Sequence, residues 1–262
     1  NSGIQVLADT PIDAYNCPSR RGPTRGGELG GPFAGLSFYL MDYAATLAGP
    51  SRAQFDPSQF NASNFDNLLN DPGGDLQALW WGCNSGCDGC AYPFIFNPGK
   101  VTSYSISVYR GIIQRVDWSQ FAPNSPQAWS LQFTQKVSFR SITDGSSNTM
   151  WVGEKRLVPS EYDTGNSWDN RGWSDGWDWD ILRSAFWIMG SDNELPAFNE
   201  HLNGTNGPVR GGGRSFGSAH SGGMNSVFAD GSVHFISFDV DRELFNLLGN
   251  REDGEIANIN AL

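Results

Sequence analysis

The sequence predicts a mostly β protein of the α+β class: antiparallel, sandwich-like sheets, a few short helices, long ordered loops, and a C-terminal β-hairpin followed by a short helix. Three observations lead there. The 262-residue chain carries 32 Gly and 14 Pro, a density of breakers that long helices do not tolerate. Segments 101–118, 130–142 and 148–157 alternate β-branched or aromatic residues with polar ones, the period of a half-buried strand. Residues 224–238 place two further alternating runs around Asp230-Gly231, a pair favoured at the tip of a two-residue hairpin.

Taken in order, residues 1–32 alternate short extended pieces with breakers and read as a strand-poor lead-in. From Pro32 to Pro50 the apolar residues are spaced for one helical face, and a short helix is expected. Residues 51–75, rich in Asn, Asp, Ser and Phe, read as a loop with its own aromatic contacts. The three alternating segments follow as strands. Between Pro159 and Gly190, Trp and Asp interleave without either period, which predicts a long ordered insertion. Residues 204–223 are too glycine-rich for a regular element and read as a loop. In the hairpin, period two puts Val227 and Ala229 on one face with Val233 and Phe235 opposite, and one such face is expected to be core. The closing helix has Asp239 or Asp241 as N-cap, Leu244, Phe245, Leu247 and Leu248 on one side, and Gly249 as its stop. All of this fits one globular domain over 1–262, subdivided, if at all, into a Cys/Gly/Pro-rich lead-in (1–100) and a β-rich region (101–262).

Composition excludes some classes of partner. The formal net charge of -11 repels phosphate backbones, and no basic cluster exceeds the Arg20, Arg21, Arg25 group, so nucleic acid is not expected. No run of 18 apolar residues exists, so no membrane span is expected within the chain, and NSGIQVLADT lacks the regions of a signal peptide. Four cysteines, Cys17, Cys83, Cys87 and Cys90, sit among Gly, Asn and Pro. This suits disulfides in an oxidising compartment, with three pairings open, and hence an extracellular or cell-surface location. A zinc site on Cys83, Cys87 and Cys90 would need a further ligand close in sequence, whereas His201, His220 and His234 are all over a hundred residues away. Haem attachment fails because Ala91, not His, follows Cys90.

Several residues invite a chemical reading. His220 is a metal ligand or base by type, yet a His in a Gly-rich loop before a hairpin more often fixes that loop through its ring nitrogens, and no nucleophile motif accompanies it. Its expected partners are main-chain groups or a neighbouring polar side chain. Asp230 and Gly231 read as turn residues, and Asp144, Gly145 and Asn148 form a second turn of the same chemistry between two strands. Asp163, Asp169, Asp175, Asp178 and Asp180 offer hard oxygen ligands for a structural calcium, although their spacing is not that of an EF-hand. The neighbouring Trp168, Trp173, Trp177 and Trp179 could stack on sugar rings. Glu154, Glu161 and Glu194 are glycosidase candidates by residue type alone. Asn61 and Asn203 match the glycosylation pattern in predicted loops.

Four segments, in order, resemble one family. They are Cys-Pro-Ser at Cys17, Asp-Tyr-Ala-Ala at Asp42, Ile-Thr-Asp-Gly-Ser-Ser-Asn-Thr from Ile142, and His220 followed after nine residues by Asp230-Gly231. Together they are similar to a large bacterial pilin-like family with a prepilin-type His-x9-Asp-Gly C-terminal motif. Its members normally begin with a prepilin cleavage site and a long hydrophobic helix, neither of which stands in these 262 residues. The resemblance implies a surface-appendage or secretion-associated structural protein, not an enzyme, associating with copies of itself or with other pilin-like subunits. It implies no required cofactor and no catalytic residues. A carbohydrate-binding β module with structural calcium, taking a polysaccharide as partner, is the alternative.

Overall fold

Strand formation follows the alternating runs only in part. The computed structural model describes residues 2–27, 34–49, 51–53, 65–70, 111–113, 137–166, 168–174, 179–194, 214–255 and 257. Seven strands are formed among these: β1 (Tyr43–Leu47), β2 (Met150–Glu154), β3 (Leu182–Ser184), β4 (Gly190–Ser191), β5 (Gly217–Ser218), β6 (Gly223–Phe228) and β7 (Val233–Ser237). Three short helices accompany them: α1 (Ser2–Asp9), α2 (Phe65–Asn70) and α3 (Arg242–Gly249). The protein is mostly β with few short helices. One sheet has the order β3-β1-β2-β6-β7 and a second pairs β4 with β5. The β1–β2, β2–β6 and β6–β7 pairs are antiparallel, while β1–β3 and β4–β5 are parallel, so the sheets are mixed.

The core lies where α3 covers the large sheet. Phe245 and Leu248 of α3 pack with Met150, Met224, Phe228 and Ile236 from β2, β6 and β7, and Phe216 meets Phe245 edge-on at 6.0 Å between centroids. Asp241 caps α3 by accepting from the Leu244 amide at 2.9 Å. Among the described residues no helix is long and apolar enough to cross a membrane.

Several expectations are corrected. The segment expected as a helix between Pro32 and Pro50 contains β1, because its near-continuous apolar run serves either element and pairing with β2 and β3 decides it. The lead-in holds a helix, α1, ended where Thr10 precedes Pro11. The end of the expected strand 130–142 is a single 3-10 turn, Phe139–Ser141, whose Ser138 and Ser141 cap one another. The strand expected over 101–118 lies outside the described residues, apart from 111–113.

The hairpin loop is one residue longer than expected. Phe228 donates its amide to Ser232 O and Gly231 donates to Phe228 O, both at 2.9 Å, while Gly231 has φ +86°. That is a three-residue loop closed by a left-handed glycine. One face of the hairpin is buried, as expected, and it is the one opposite Val227, Val233 and Phe235. Met224, Ser226, Phe228 and Ile236 point inward, whereas Val233 and Phe235 are 64% and 51% exposed and Val227 is half-buried. Gly249 is not a left-handed stop either; it is the last residue of α3, pressed against its neighbours.

Candidate functional site

Three of the four resembling segments, and a residue that follows the third, meet at the C-terminal end of β2. Glu154 ends that strand, paired across β1 with Tyr43. Its side chain is 1% exposed. Oε2 accepts from the Asn225 amide of β6 at 2.7 Å and from Asn225 Nδ2 at 3.3 Å, whereas the buried Oε1 receives no well-formed hydrogen bond. Oε1 instead faces His220 Nε2 at 3.3 Å.

His220 belongs to the link between β5 and β6. Its amide donates to Ser218 Oγ at 3.0 Å, and that hydroxyl donates to Gly223 O at 2.6 Å, which fixes the link. The imidazole is 31% exposed. Cys17 enters from the N-terminal lead-in, its amide donating to Asp42 Oδ2 at 2.7 Å. Its thiol lies 3.8 Å from the same Nε2. A sulfur, a carboxylate oxygen and an imidazole nitrogen thus lie within 4.8 Å of one another. Burial first, and then the Glu154 carboxylate, push the Cys17 thiol above its ordinary range, against the Ser19 amide and Arg20. Burial, Cys17 and Glu154 raise Tyr43 in the same way.

A buried ionic network carries this site. Arg20 pairs with Asp192 at 2.7 Å and donates to Lys155 O, to Gly217 O at 3.1 Å and to Asp42 O at 3.3 Å. Asp192 also accepts from the Leu157 amide at 3.0 Å and the Tyr162 hydroxyl at 2.6 Å. Arg21 bridges Asp42 and Asp169, both at 2.8 Å, and Lys155 Nζ meets Asp169 at 2.6 Å. Burial tends to raise Asp169, but Lys155 and Arg21 outweigh it and hold the carboxyl below its ordinary value. Burial wins at Lys155, whose ammonium is pushed down despite Asp169.

The candidate residues fall into different places. His220 meets the side chains of Glu154 and Cys17 through its ring, and its own amide donates to the Ser218 hydroxyl. Asp230 Oδ1 accepts from Ser232 N and Oγ at 2.9 and 2.6 Å, beside Gly231 in the turn. Gly145 has φ +98°, Asn148 Nδ2 donates to Asp144 O at 3.1 Å, and Asp144 accepts from the Asp253 and Gly254 amides. This turn leads into β2 from the 3-10 turn and does not join two strands.

Of the calcium candidates, Asp169 is held by two cations and Asp180 Oδ1 accepts from the amides of Asn170, Arg171 and Gly172, so both carboxylates have other partners. Asp163 is exposed, and Asp175 and Asp178 lie outside the described residues. Trp179 is buried and stacked on Trp187 at 5.7 Å, which makes it a core residue and removes it from any sugar platform. Trp168 and Trp173 are half-buried, and Trp177 lies outside the described residues. Glu161 accepts from Asn166 at 2.6 Å and Glu194 pairs with Arg156 at 2.7 Å. Cys17 is a buried, free cysteine, and the three cysteines expected to pair with it or with one another, Cys83, Cys87 and Cys90, lie outside the described residues, as do Asn61 and Asn203.

Sequence reasoning passed over Arg20, Arg21, Asp42, Lys155 and Asp192. For Arg20, Arg21, Asp42 and Lys155 the signal was present, charges inside or close behind the resembling segments in a chain with few charges, whereas Asp192 lies far from all four segments. Reading those segments jointly, as parts of one place, would have found the former.

The family model SBP_bac_10, described as a protein of unknown function (DUF1559), matches residues 2–243, and the chain belongs to that family. No curated protein and no solved structure matches the chain.

Proposed function

We propose that this DUF1559 chain is a pilin-like subunit of an extracellular or cell-surface appendage, acting through assembly and not through catalysis. The observation that carries the reading is the edge of the large sheet. Among the described residues β7 ends the strand order, hydrogen-bonded to β6 on one side, and it turns Val233 and Phe235 to solvent. An open edge with apolar side chains is a template for a strand or an apolar surface of another chain. Natural monomers blunt such edges with charge or proline, and β7, Val-His-Phe-Ile-Ser, has neither Lys nor Pro. The four segments resembling pilin-like proteins support the same class, and the net charge of -11 argues against nucleic acid as the partner. The polysaccharide alternative is less favoured because Trp179 is buried.

Light scattering after size exclusion and negative-stain microscopy on the full-length native protein test the proposal. Oligomers or filaments are expected, and Phe235→Lys should disperse them without lowering the melting temperature. A native protein that stays monomeric at high concentration would remove the basis for the reading.

A further inference from the structure

We propose that Cys17, Glu154 and His220 form a binding site for a divalent transition metal, with zinc the ion its ligand set suits best. The argument starts from distances. A tetrahedral zinc with bonds of about 2.3 Å to sulfur and about 2.0 Å to nitrogen and oxygen holds its ligands about 3.3 Å (N to O) and about 3.6 Å (S to N) apart. The corresponding edges here are 3.3 Å, from His220 Nε2 to Glu154 Oε1, and 3.8 Å, from His220 Nε2 to Cys17 Sγ. Two edges of a coordination face thus have the right length, and the third, from Cys17 Sγ to the Glu154 carboxylate, lies within 4.8 Å.

The second argument is the state of Glu154. A buried carboxylate needs a cation or a full set of hydrogen bonds. Oε2 has its donors from Asn225, but Oε1 is buried without a well-formed hydrogen bond and is directed at the Cys17–His220 pair. The nearby Arg20 feels the Glu154 charge but makes its ion pair with Asp192 and gives Oε1 no hydrogen bond. A metal ion between the three side chains supplies the missing positive charge and the missing partner together.

The same geometry argues against a cysteine–histidine nucleophile. In such a relay the thiol and the orienting carboxylate sit on opposite ring nitrogens. Here Cys17 and Glu154 both face Nε2, so all three donors converge on one point. Cys17 is also buried, unlike an attacking thiol. Thiolate, imidazole and carboxylate together select zinc over calcium or magnesium, which prefer all-oxygen shells. Three protein ligands leave one position of a tetrahedral ion for a further ligand. The ion would clasp the Cys-Pro-Ser segment, the end of β2 and the β5–β6 link to one another.

The test uses the full-length chain, stripped with a chelator and titrated with zinc by calorimetry and with cobalt by absorption. One equivalent is expected, with a sulfur-to-cobalt charge-transfer band. His220→Ala and Glu154→Gln should each weaken binding more than about tenfold, and Cys17→Ser should abolish the band. Any zinc held by Cys83, Cys87 and Cys90 would survive all three changes, which separates the two sites. His220 lies in a half-exposed link, so His220→Ala decides the matter if Cys17→Ser fails to fold. A wild-type chain that takes up no zinc, or a His220→Ala chain that binds it as tightly as wild type, overturns the proposal.

Discussion

Asp253 shows how one residue can set the pH response of a turn. It lies half-buried beside Asp144, whose carboxylate accepts the Asp253 amide at 2.7 Å, while Asp253 Oδ1 accepts from the Glu255 amide at 2.8 Å. Burial, the largest effect, and the charge of Asp144 raise the Asp253 carboxyl from 3.8 to about 7, against the Glu255 amide. A carboxyl raised on folding binds its proton more tightly in the native state. Its contribution is therefore intact below about pH 4 and is lost as pH climbs through about 7. Asp253→Asn keeps an oxygen for the Glu255 amide and removes the charge. Its melting temperature should exceed that of wild type near pH 8 and match it near pH 3, with a gain of about 1 kcal/mol given the group's partial exposure. Equal melting curves at both pH values would refute the pairing. Nothing in the sequence marked Asp253, because its partner is a turn residue over a hundred positions earlier. Asp144 was legible as a turn former, whereas its role as acceptor for a distant backbone was not.

Elements stabilised by near neighbours were the legible ones. The Asp230-Gly231 hairpin and α3 are local, and their breakers and caps stand within a few residues of the contacts they make. The buried face of the hairpin was not, since alternation offers two faces, and α3 packs on that of Met224 and Ile236. β1 was misread for a related reason: its identity comes from partners at Val152 and Leu182. Gly249 illustrates the same limit. A Cβ there would lie 3.0 Å from Ala185 Cβ, 3.0 Å from Thr46 Cγ2 and 3.2 Å from Ala48 Cβ. The glycine lets α3 approach β1 and β3 closely, a tertiary demand that looked like an end-of-helix signal. Gly249→Ala should cost about 1–2 kcal/mol in urea unfolding, because overpacking exceeds the small gain in helix propensity at a terminal position. An unchanged or raised midpoint would show that the three contacts yield freely.

Across the whole molecule, charge is organised inward to a degree that composition hides. With 17% charged residues the chain reads as a protein whose few charges keep it soluble, yet Arg21, Asp42, Lys155, Asp169 and Asp192 are all buried. They join the N-terminal lead-in, the ends of β1 and β2, and the Trp/Asp segment, pieces that share little apolar pattern. Such a network fixes which loops meet, although its net contribution to stability is small once desolvation is counted. Removing one member is different, because it strands the others. Asp169 is the member to remove: it alone touches both Lys155, at 2.6 Å, and the Arg21 guanidinium on its far side, at 2.8 Å. Asp169→Asn preserves volume and hydrogen-bonding oxygen but leaves the Lys155 ammonium without a carboxylate. A loss of about 3–5 kcal/mol is expected at neutral pH. The sign of its pH dependence follows from the lowered Asp169 carboxyl: its contribution is present above the ordinary value of 3.8 and is lost as pH falls through the still lower folded value. The gap between wild type and Asp169→Asn should therefore be widest near neutrality and narrow in acid. Urea titrations over that range measure it, and a variant within about 0.5 kcal/mol of wild type at neutral pH would mean that Lys155 finds its compensation elsewhere.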